Sequence, residues 1–257
     1  MRSSIGATTE IRAGSSAPSC PACHSPDHRR YADARGAKLL ECLACGVIYL
    51  DPLPTQDELA PFYEDSYAGA TTSYFAKVGS KIRRSRRRMR ALRRHVAGGR
   101  FIDIGCNGGF MVEAARERGF EAYGLDIDSV SIAYAREHYP RNRYVLGTVE
   151  AFEPTAPRFD LAYCSEVIEH VPGVDRFVAT LAKLLSPGGV LFITTPDIGH
   201  WRRPKDLAAW DGFAPPAHCV YFRPAGLRRL LERHGLGVFR AKLAWKPGIK
   251  MLCRREG

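Results

Sequence analysis

The chain has 257 residues, of which 45% are hydrophobic and 10% aromatic, enough for a sizeable core in one large domain, or in one domain with a small appendage. That apolar content excludes a chain disordered throughout, and no stretch approaches the roughly 18 to 20 uncharged apolar residues that a membrane span needs. The net charge of +11 is concentrated in one place: residues 81–94 hold nine Lys or Arg and no acid, leaving +2 for the remainder, which excludes a protein basic on all sides.

Residues 1–18 are small, polar and aperiodic, and predict a disordered terminus. They contain no apolar run of signal-peptide type, so the expected location is cytoplasmic. The next unit, residues 19–52, holds four of the eight cysteines in two pairs, Cys20-x2-Cys23 and Cys42-x2-Cys45, separated by 18 residues. Each pair forms a knuckle presenting two thiolates, and two knuckles complete a tetrahedral sulfur cage for a structural Zn²⁺ with no open position. Gly46 supplies the backbone freedom that such a knuckle needs. A unit this small also lacks a core of its own, which favours a metal staple over four reduced thiols.

Asp51-Pro52-Leu53-Pro54 breaks the chain and opens a helical linker, residues 53–98. A short helix is expected over 56–67, with Phe62, Tyr63 and Tyr67 as anchors, then a small-residue joint at 68–73. A longer helix over 74–96 repeats Ile82, Met89, Leu92 and Val96 at helical spacing and stops at Gly98-Gly99. This apolar stripe predicts that the helix packs on the following domain and turns its arginines to solvent. Contact with an anionic substrate is the other use of that face.

From residue 99 to 257 the pattern alternates strand and helix, the signature of an α/β domain with a parallel sheet covered on both faces. Strands are expected at 101–104, 122–126, 143–146, 159–164 and 190–194, with helices between them and at 224–234, and a last strand at 238–244. The first strand runs into Asp103-Ile104-Gly105-Cys106-Asn107-Gly108-Gly109. Glycines there let backbone approach a ligand, and a helix N-terminus offers N–H groups to an anion. Asp126 ends the next strand 21 residues after Gly105, where a carboxylate can accept both ribose hydroxyls of a nucleoside. The G-x-G-x-x-G of a nicotinamide dehydrogenase is absent.

FIDIGCNGGF, YGLDID, FDLAYCSEVIEHV and LSPGGVLFITTPD, in this order, resemble the motifs of class I S-adenosylmethionine-dependent methyltransferases over about residues 80–240. The resemblance implies a Rossmann-like seven-stranded sheet with a C-terminal antiparallel hairpin. It implies that Asp103, Gly105, Asn107 and Gly109 hold the methionine part of the cofactor. Asp126 and Ile127 would then meet the ribose, Val149 and Glu150 the adenine, with Ser165 at the end of the fourth strand. Asn107 stands where the family has a glycine; Asn tolerates left-handed backbone better than other residues with side chains.

Ser165-Glu166-Val167-Ile168-Glu169-His170-Val171 follows the fourth strand. If this turn enters a helix, Glu166, Glu169 and His170 share one face and suit a divalent cation such as Mg²⁺, Mn²⁺ or Fe²⁺. The segment is similar to that of metal-dependent O-methyltransferases of small-RNA 3′ ends and of ubiquinone precursors. His218 stands where the RNA enzymes have a further ligand. Without a metal, Glu166, His170 and His218 remain the catalytic candidates, with an imidazole as general base. Loop-holding hydrogen bonds are the plainer use of the same residues. His200 and His234 read as ordinary loop residues, and Cys106, Cys164, Cys219 and Cys253 as buried small hydrophobes. The loop carrying Trp201, Trp210 and Phe213 resembles a substrate lid, its aromatics expected to pack within it, with an aromatic clamp on the substrate as the alternative.

The ribbon, the D-P-x-P joint and this type of sheet are together similar to methyltransferases of bacterial saccharide and natural-product pathways. The expected partner is therefore a small-molecule acceptor, anionic if the arginines touch it, methylated on a hydroxyl. Sugar C-methyltransferases are similar at the ribbon and the Asn-containing loop. RNA is the second acceptor, and a non-catalytic nucleic-acid-binding module is the alternative of a different class. Nothing in the pattern specifies an oligomeric state.

Overall fold

A computed structural model of the chain describes residues 18–59, 78–242 and 245–257. The expected disorder of residues 1–17, the anchors Phe62, Tyr63 and Tyr67, the joint at 68–73 and the start of the 74–96 helix lie outside the described residues.

The amino-terminal unit is a small antiparallel sheet. Strands β1 (His28–Ala34) and β2 (Ala37–Cys42) form a hairpin, and β3 (Ile48–Asp51) pairs with β2. Arg35 and Gly36 both have positive φ, 51° and 73°, as a two-residue turn matched to strand twist requires. The cysteine pairs sit in the loops before β1 and between β2 and β3. Gly46 has φ 76° and its N–H donates to Cys42 O.

The large sheet holds β4 (Gly99–Ile104), β5 (Phe120–Asp126), β6 (Arg143–Leu146), β7 (Phe159–Ser165), β8 (Leu185–Thr195), β10 (Leu236–Ala241) and β11 (Ile249–Arg255). Their order is β10-β11-β8-β7-β4-β5-β6, parallel from β8 to β6 and antiparallel at β11. This is the seven-stranded sheet with a terminal hairpin that the motifs led us to expect. The short apolar runs form its centre because parallel strands are covered on both faces. Two strands differ from expectation: β8 begins at Leu185, with Phe159 opposite Leu185 and Leu161 opposite Val190, so Ser-Pro-Gly-Gly is a bulge within it, and β11 follows the last strand that the pattern marked.

One face is covered by α1 (Val78–Leu92), α2 (Phe110–Arg116) and α3 (Ser129–His138), whose buried residues pack with Phe101, Phe192 and Leu252. Met89 and Leu92 anchor α1, each contributing about 1.5–3 kcal/mol by burial. Most of the α1 arginines face solvent, but Arg86 pairs with Glu117 and Arg88 donates to the buried Tyr163 hydroxyl. The other face carries α4 (Val149–Phe152), α5 (Val174–Leu184) and α6 (Pro224–Arg233), whose core continues without a break into the cysteine-bearing unit.

That continuity is not signalled by the sequence pattern. Strand β9 (Val220–Tyr221), deep in the second half of the chain, completes the small sheet by pairing with β3, Ile48 opposite Tyr221. The buried carboxylate of Glu41 binds Arg29 and Arg223, and Arg35 donates to the carbonyls of Ala208 and Phe213. Asp175, at the start of α5, accepts from His24 beside the first knuckle, and from Arg233 and His234. His234 is thus a bridging residue and not an ordinary loop residue. Partial burial opposes the charge of Asp175, yet these three donors hold its carboxyl down at about 2.

A depressed folded value means stability that is present above the unfolded value near 3.8 and lost as the pH falls toward 2. Asp175→Asn is therefore expected to cost about 2 kcal/mol at pH 7, seen as a lower thermal midpoint whose gap from wild type narrows below pH 4. A midpoint unchanged at pH 7 would remove this bridge from the account.

Candidate active site

A cavity of about 820 Å³ opens at the carboxyl ends of β4, β5 and β7. Open α/β sheets bind ligands at this edge. Of the residues singled out above, Gly105, Asn107, Asp126, Ile127, Val149, Glu150, Ser165, Glu166 and His170 line it.

The glycine loop is shaped by its own hydrogen bonds. Gly105 and Cys106 N–H donate to Leu125 O, and Asn107 N–H donates to the Asp126 carboxylate at 2.7 Å. Asn107 has φ 47° and its side-chain oxygen accepts from Gly108 N–H at 2.7 Å, so the departure from glycine is accommodated. Gly105 has φ 72°, and a Cβ there would lie 2.6 Å from Val167 Cγ2. The loop and the turn after β7 therefore meet at a position that only glycine fills. Asp126 takes a second backbone N–H, from Asp128, at 3.0 Å. Each carboxylate oxygen then keeps acceptor capacity for a ribose hydroxyl.

Two of the expected cofactor residues lie elsewhere, and Glu169 and His218 are not among the lining residues either. Gly109 does not line the cavity: a Cβ on it would strike the Tyr144 hydroxyl at 2.6 Å, so its smallness seats α2 against β6. Asp103 shares a strand face with Phe101 and lies beneath α1, where burial and the nearby Asp126 raise its carboxyl well above the usual range.

The turn after β7 is not the helix expected. Glu166 has φ 58° at the strand end, and a 3₁₀ turn, Ile168–His170, follows. Glu166 is thereby separated from Glu169 and His170. Thr194 Oγ1 donates to Glu166 at 2.7 Å, and Ser165 Oγ lies 2.7 Å from Thr194 Oγ1. Each hydroxyl has one proton, so the chain of donation runs Ser165 to Thr194 to Glu166. Glu169 is buried, with Oε2 accepting from Thr195 and Oε1 without a partner. Burial, and then Glu166, push its carboxyl up to about 8.

His218 comes from the distant loop, its ring 4.5 Å from that of His170 and nearly perpendicular to it. His170 Nδ1 bonds Ala217 O and His218 Nδ1 bonds Gly212 O, each at 2.9 Å. A carbonyl only accepts, so both rings carry the proton on Nδ1 and the lone pair on Nε2. Burial lowers both, His170 to about 4 with His218 as second cause, so both are neutral near pH 7.

Ligand atoms of Glu169, His170 and His218 lie within 4.8 Å of one another, and the partnerless Oε1 fits a cation held there. Glu166 is not part of that group. The sulfurs of Cys20, Cys23, Cys42 and Cys45 also lie within 4.8 Å, with Cys20–Cys45 and Cys23–Cys42 at 3.5 Å. That spacing is far beyond a disulfide bond of about 2 Å and fits four thiolates around one Zn²⁺. Cys106, Cys164, Cys219 and Cys253 are buried singly, as expected.

The family model for a methyltransferase domain matches residues 74–240. The chain belongs to that family. Its sheet is that of the class I S-adenosylmethionine-dependent methyltransferases. The chain is 36% identical over 118 residues to a ubiquinone biosynthesis O-methyltransferase of Stutzerimonas stutzeri, covering 44% of this chain and 49% of that one. It is 31% identical over 160 residues to the protein of the same name from Rhodopseudomonas palustris, covering 55% and 62%. It thus spans about half the length of the curated relatives it matches. Among solved structures, the 1,6-didemethyltoxoflavin-N1-methyltransferase of Burkholderia thailandensis has TM-score 0.59 at 17% identity, covering 90% of this chain and 100% of that one. An S-adenosylmethionine-dependent methyltransferase from Mesorhizobium loti has TM-score 0.53 at 24%, covering 64% and 96%. At these identities the two structures share the fold with this chain.

Sequence reasoning missed several cavity residues. Gln56 reaches it from the linker, and Arg176 and Phe177 from α5. The last two had a signal: they open the helix immediately after the Glu-His turn. Thr194 and Thr195, which hold Glu166 and Glu169 without lining the cavity, had one too, as hydroxyls ending the neighbouring strand. Gln56 had none.

Proposed function

We propose that this methyltransferase moves the methyl group of S-adenosylmethionine onto a hydroxyl oxygen of a small molecule, a saccharide or natural-product intermediate. The observation that carries the reading is one cavity, about 820 Å³, with Asn107 and Asp126 on one wall and Glu166 and His170 on another. That is room for a nucleoside cofactor and an acceptor side by side. The curated relatives, by name O-methyltransferases, favour oxygen as the acceptor atom.

When bound, S-adenosylmethionine supplies an electrophilic methyl group on a sulfonium. Asp126 accepts the ribose hydroxyls, and Val149 and Glu150 stand where the adenine would lie. Ile104, Val167 and Phe177 exclude water from the transfer path. His170, neutral and with its lone pair on Nε2, receives the acceptor's hydroxyl proton, and His218 orients it. The Thr194 hydroxyl fixes Glu166 at the same wall. A divalent cation at Glu169, His170 and His218 would lower the pKa of an acceptor hydroxyl. Zn²⁺ at the four cysteines would be structural.

Asp126→Ala is expected to weaken S-adenosylhomocysteine binding by on the order of 1.5 to 3 kcal/mol, the worth of charge-assisted hydrogen bonds. Calorimetry on the folded variant checks this, and unchanged affinity would mean the ribose lies elsewhere. The reading itself is tested by incubating the zinc-loaded protein with methyl-labelled S-adenosylmethionine and panels of phenols, sugars and nucleotide sugars. Label on an acceptor oxygen is the expected result. Label found only on carbon, or only on RNA, would overturn it.

A further inference from the structure

The loop after β8 sorts its aromatic residues in two. Trp210 and Phe213 are buried, as loop packing requires. Trp201 is 73% exposed, and so is Trp245, at 72%, in the turn between β10 and β11. The two indoles meet edge to face at 6.3 Å and 88°, although they come from segments more than 40 residues apart. The Arg202 guanidinium lies 4.0 Å over the Trp245 ring and 5.2 Å from that of Trp201. The His200 ring lies against Trp201 at 5.8 Å, tilted only 21° from it.

We propose that Trp201, Trp245 and Arg202 form the acceptor subsite of this methyltransferase, one that takes a nucleoside diphosphate or a small molecule linked to one. The proposal rests on the methyl-transfer reading above. An indole face in water stacks well on a nucleobase, because every base offers a π surface. A guanidinium stacked on indole is engaged through its face, which leaves its in-plane N–H fork directed outward for a phosphate. Lys205 and Lys246 are exposed in the same two segments, where the carboxylate of Asp206 already accepts from Ala208 N–H. Flat apolar surface beside concentrated positive charge is the complement of a ring carrying phosphates.

The placement connects this surface to the chemistry. Ile249, which ends the Trp245 turn, pairs with Thr195, the last residue of β8, and Trp201 follows Thr195 by six residues. Thr195 and Thr194 are the side chains that hold Glu169 and Glu166. The platform therefore follows the carboxyl end of β8, next to β7, whose own carboxyl end borders the cavity. Single-stranded nucleic acid and anionic membranes share the charge, but among the described residues Trp201 and Trp245 are the exposed tryptophans, and they form one pair and no row.

The test is calorimetry on the full zinc-loaded chain with uridine diphosphate, uridine, pyrophosphate, a single-stranded oligonucleotide and anionic phospholipid vesicles. S-adenosylhomocysteine is titrated alongside. Uridine diphosphate should bind at least tenfold tighter than either fragment. Trp201→Ala and Trp245→Ala should each weaken it at least about fivefold, the lower bound for one lost stack. Arg202→Gln should weaken diphosphate and leave uridine unchanged. In all three variants S-adenosylhomocysteine affinity and thermal midpoint should match wild type. No uridine diphosphate binding by a chain that binds S-adenosylhomocysteine would overturn the proposal alone. So would unchanged affinity in the tryptophan variants, or tighter binding of oligonucleotide or vesicles. Failure of wild type to bind S-adenosylhomocysteine would overturn both readings.

Discussion

Serine at Cys42 is expected to cost the protein its zinc and at least tenfold in methyl-transfer rate, although Cys42 touches no part of the cavity. A four-thiolate zinc site contributes about 10–16 kcal/mol of apparent binding free energy, most of it folding free energy for the unit it staples. Here that unit does not stand apart. Leu50 N–H on β3 donates to Cys219 O, and Cys219 N–H donates to Glu169 O. The ribbon thus holds the residue after His218, and through it the carbonyl of Glu169. Losing β3 releases β9 and lets His218 drift from His170. Near-attack geometry is sensitive at the level of an ångström, so the loss should appear chiefly in kcat. S-adenosylhomocysteine affinity should change far less, because Asp126 ends β5 and Asn107 lies in the loop after β4. Metal analysis, circular dichroism and steady-state kinetics on Cys42→Ser check this. Full activity in zinc-free protein would separate the ribbon from the active site.

His170→Ala should lower kcat by about a hundred- to ten-thousandfold, the range for removing a positioned general base, with cofactor affinity within about twofold of wild type. His218→Ala should lower it less if His218 only orients, and equally if both hold a cation. Glu169→Gln separates these cases. The amide keeps the Thr195 contact at the buried position and removes the charge that a divalent cation needs. With a cation in the mechanism, Glu169→Gln loses activity as His170→Ala does, and a chelator too weak to strip four thiolates abolishes turnover in wild type. Without one, Glu169→Gln is near wild type, because burial already keeps Glu169 protonated at neutral pH. Wild-type kcat in His170→Ala would remove the proposed base altogether.

The sheet was legible because the parallel strands are short apolar runs, three of them closed at Gly105, Asp126 and Gly147, and the period changes sharply between Ile104 and Phe110. The glycine loop was legible because Gly105, Asn107 and Asp126 sit at fixed offsets from strand ends. Gly109 was placed at the ligand because spacing alone does not separate a glycine that clears a cofactor from one that clears Tyr144. The helix expected at Glu166 failed because the side-chain offsets fit while the backbone did not: Glu166 in the left-handed region ends the strand and delays the turn. The joining of the ribbon to the sheet domain was invisible, since a two-residue strand such as Val220–Tyr221 has no periodicity. Trp201 and Trp210 look alike in sequence. Only tertiary contact buries one and leaves the other in water.

The cavity at the ends of β4, β5 and β7 is the proposed S-adenosylmethionine site. Isothermal calorimetry with S-adenosylmethionine and S-adenosylhomocysteine, on wild type and Asp126→Ala, is the decisive measurement. One site at micromolar levels, weakened in the variant, is the expected result. No heat at millimolar ligand would mean that Asn107 closes the loop to the cofactor, and would overturn the methyl-transfer reading.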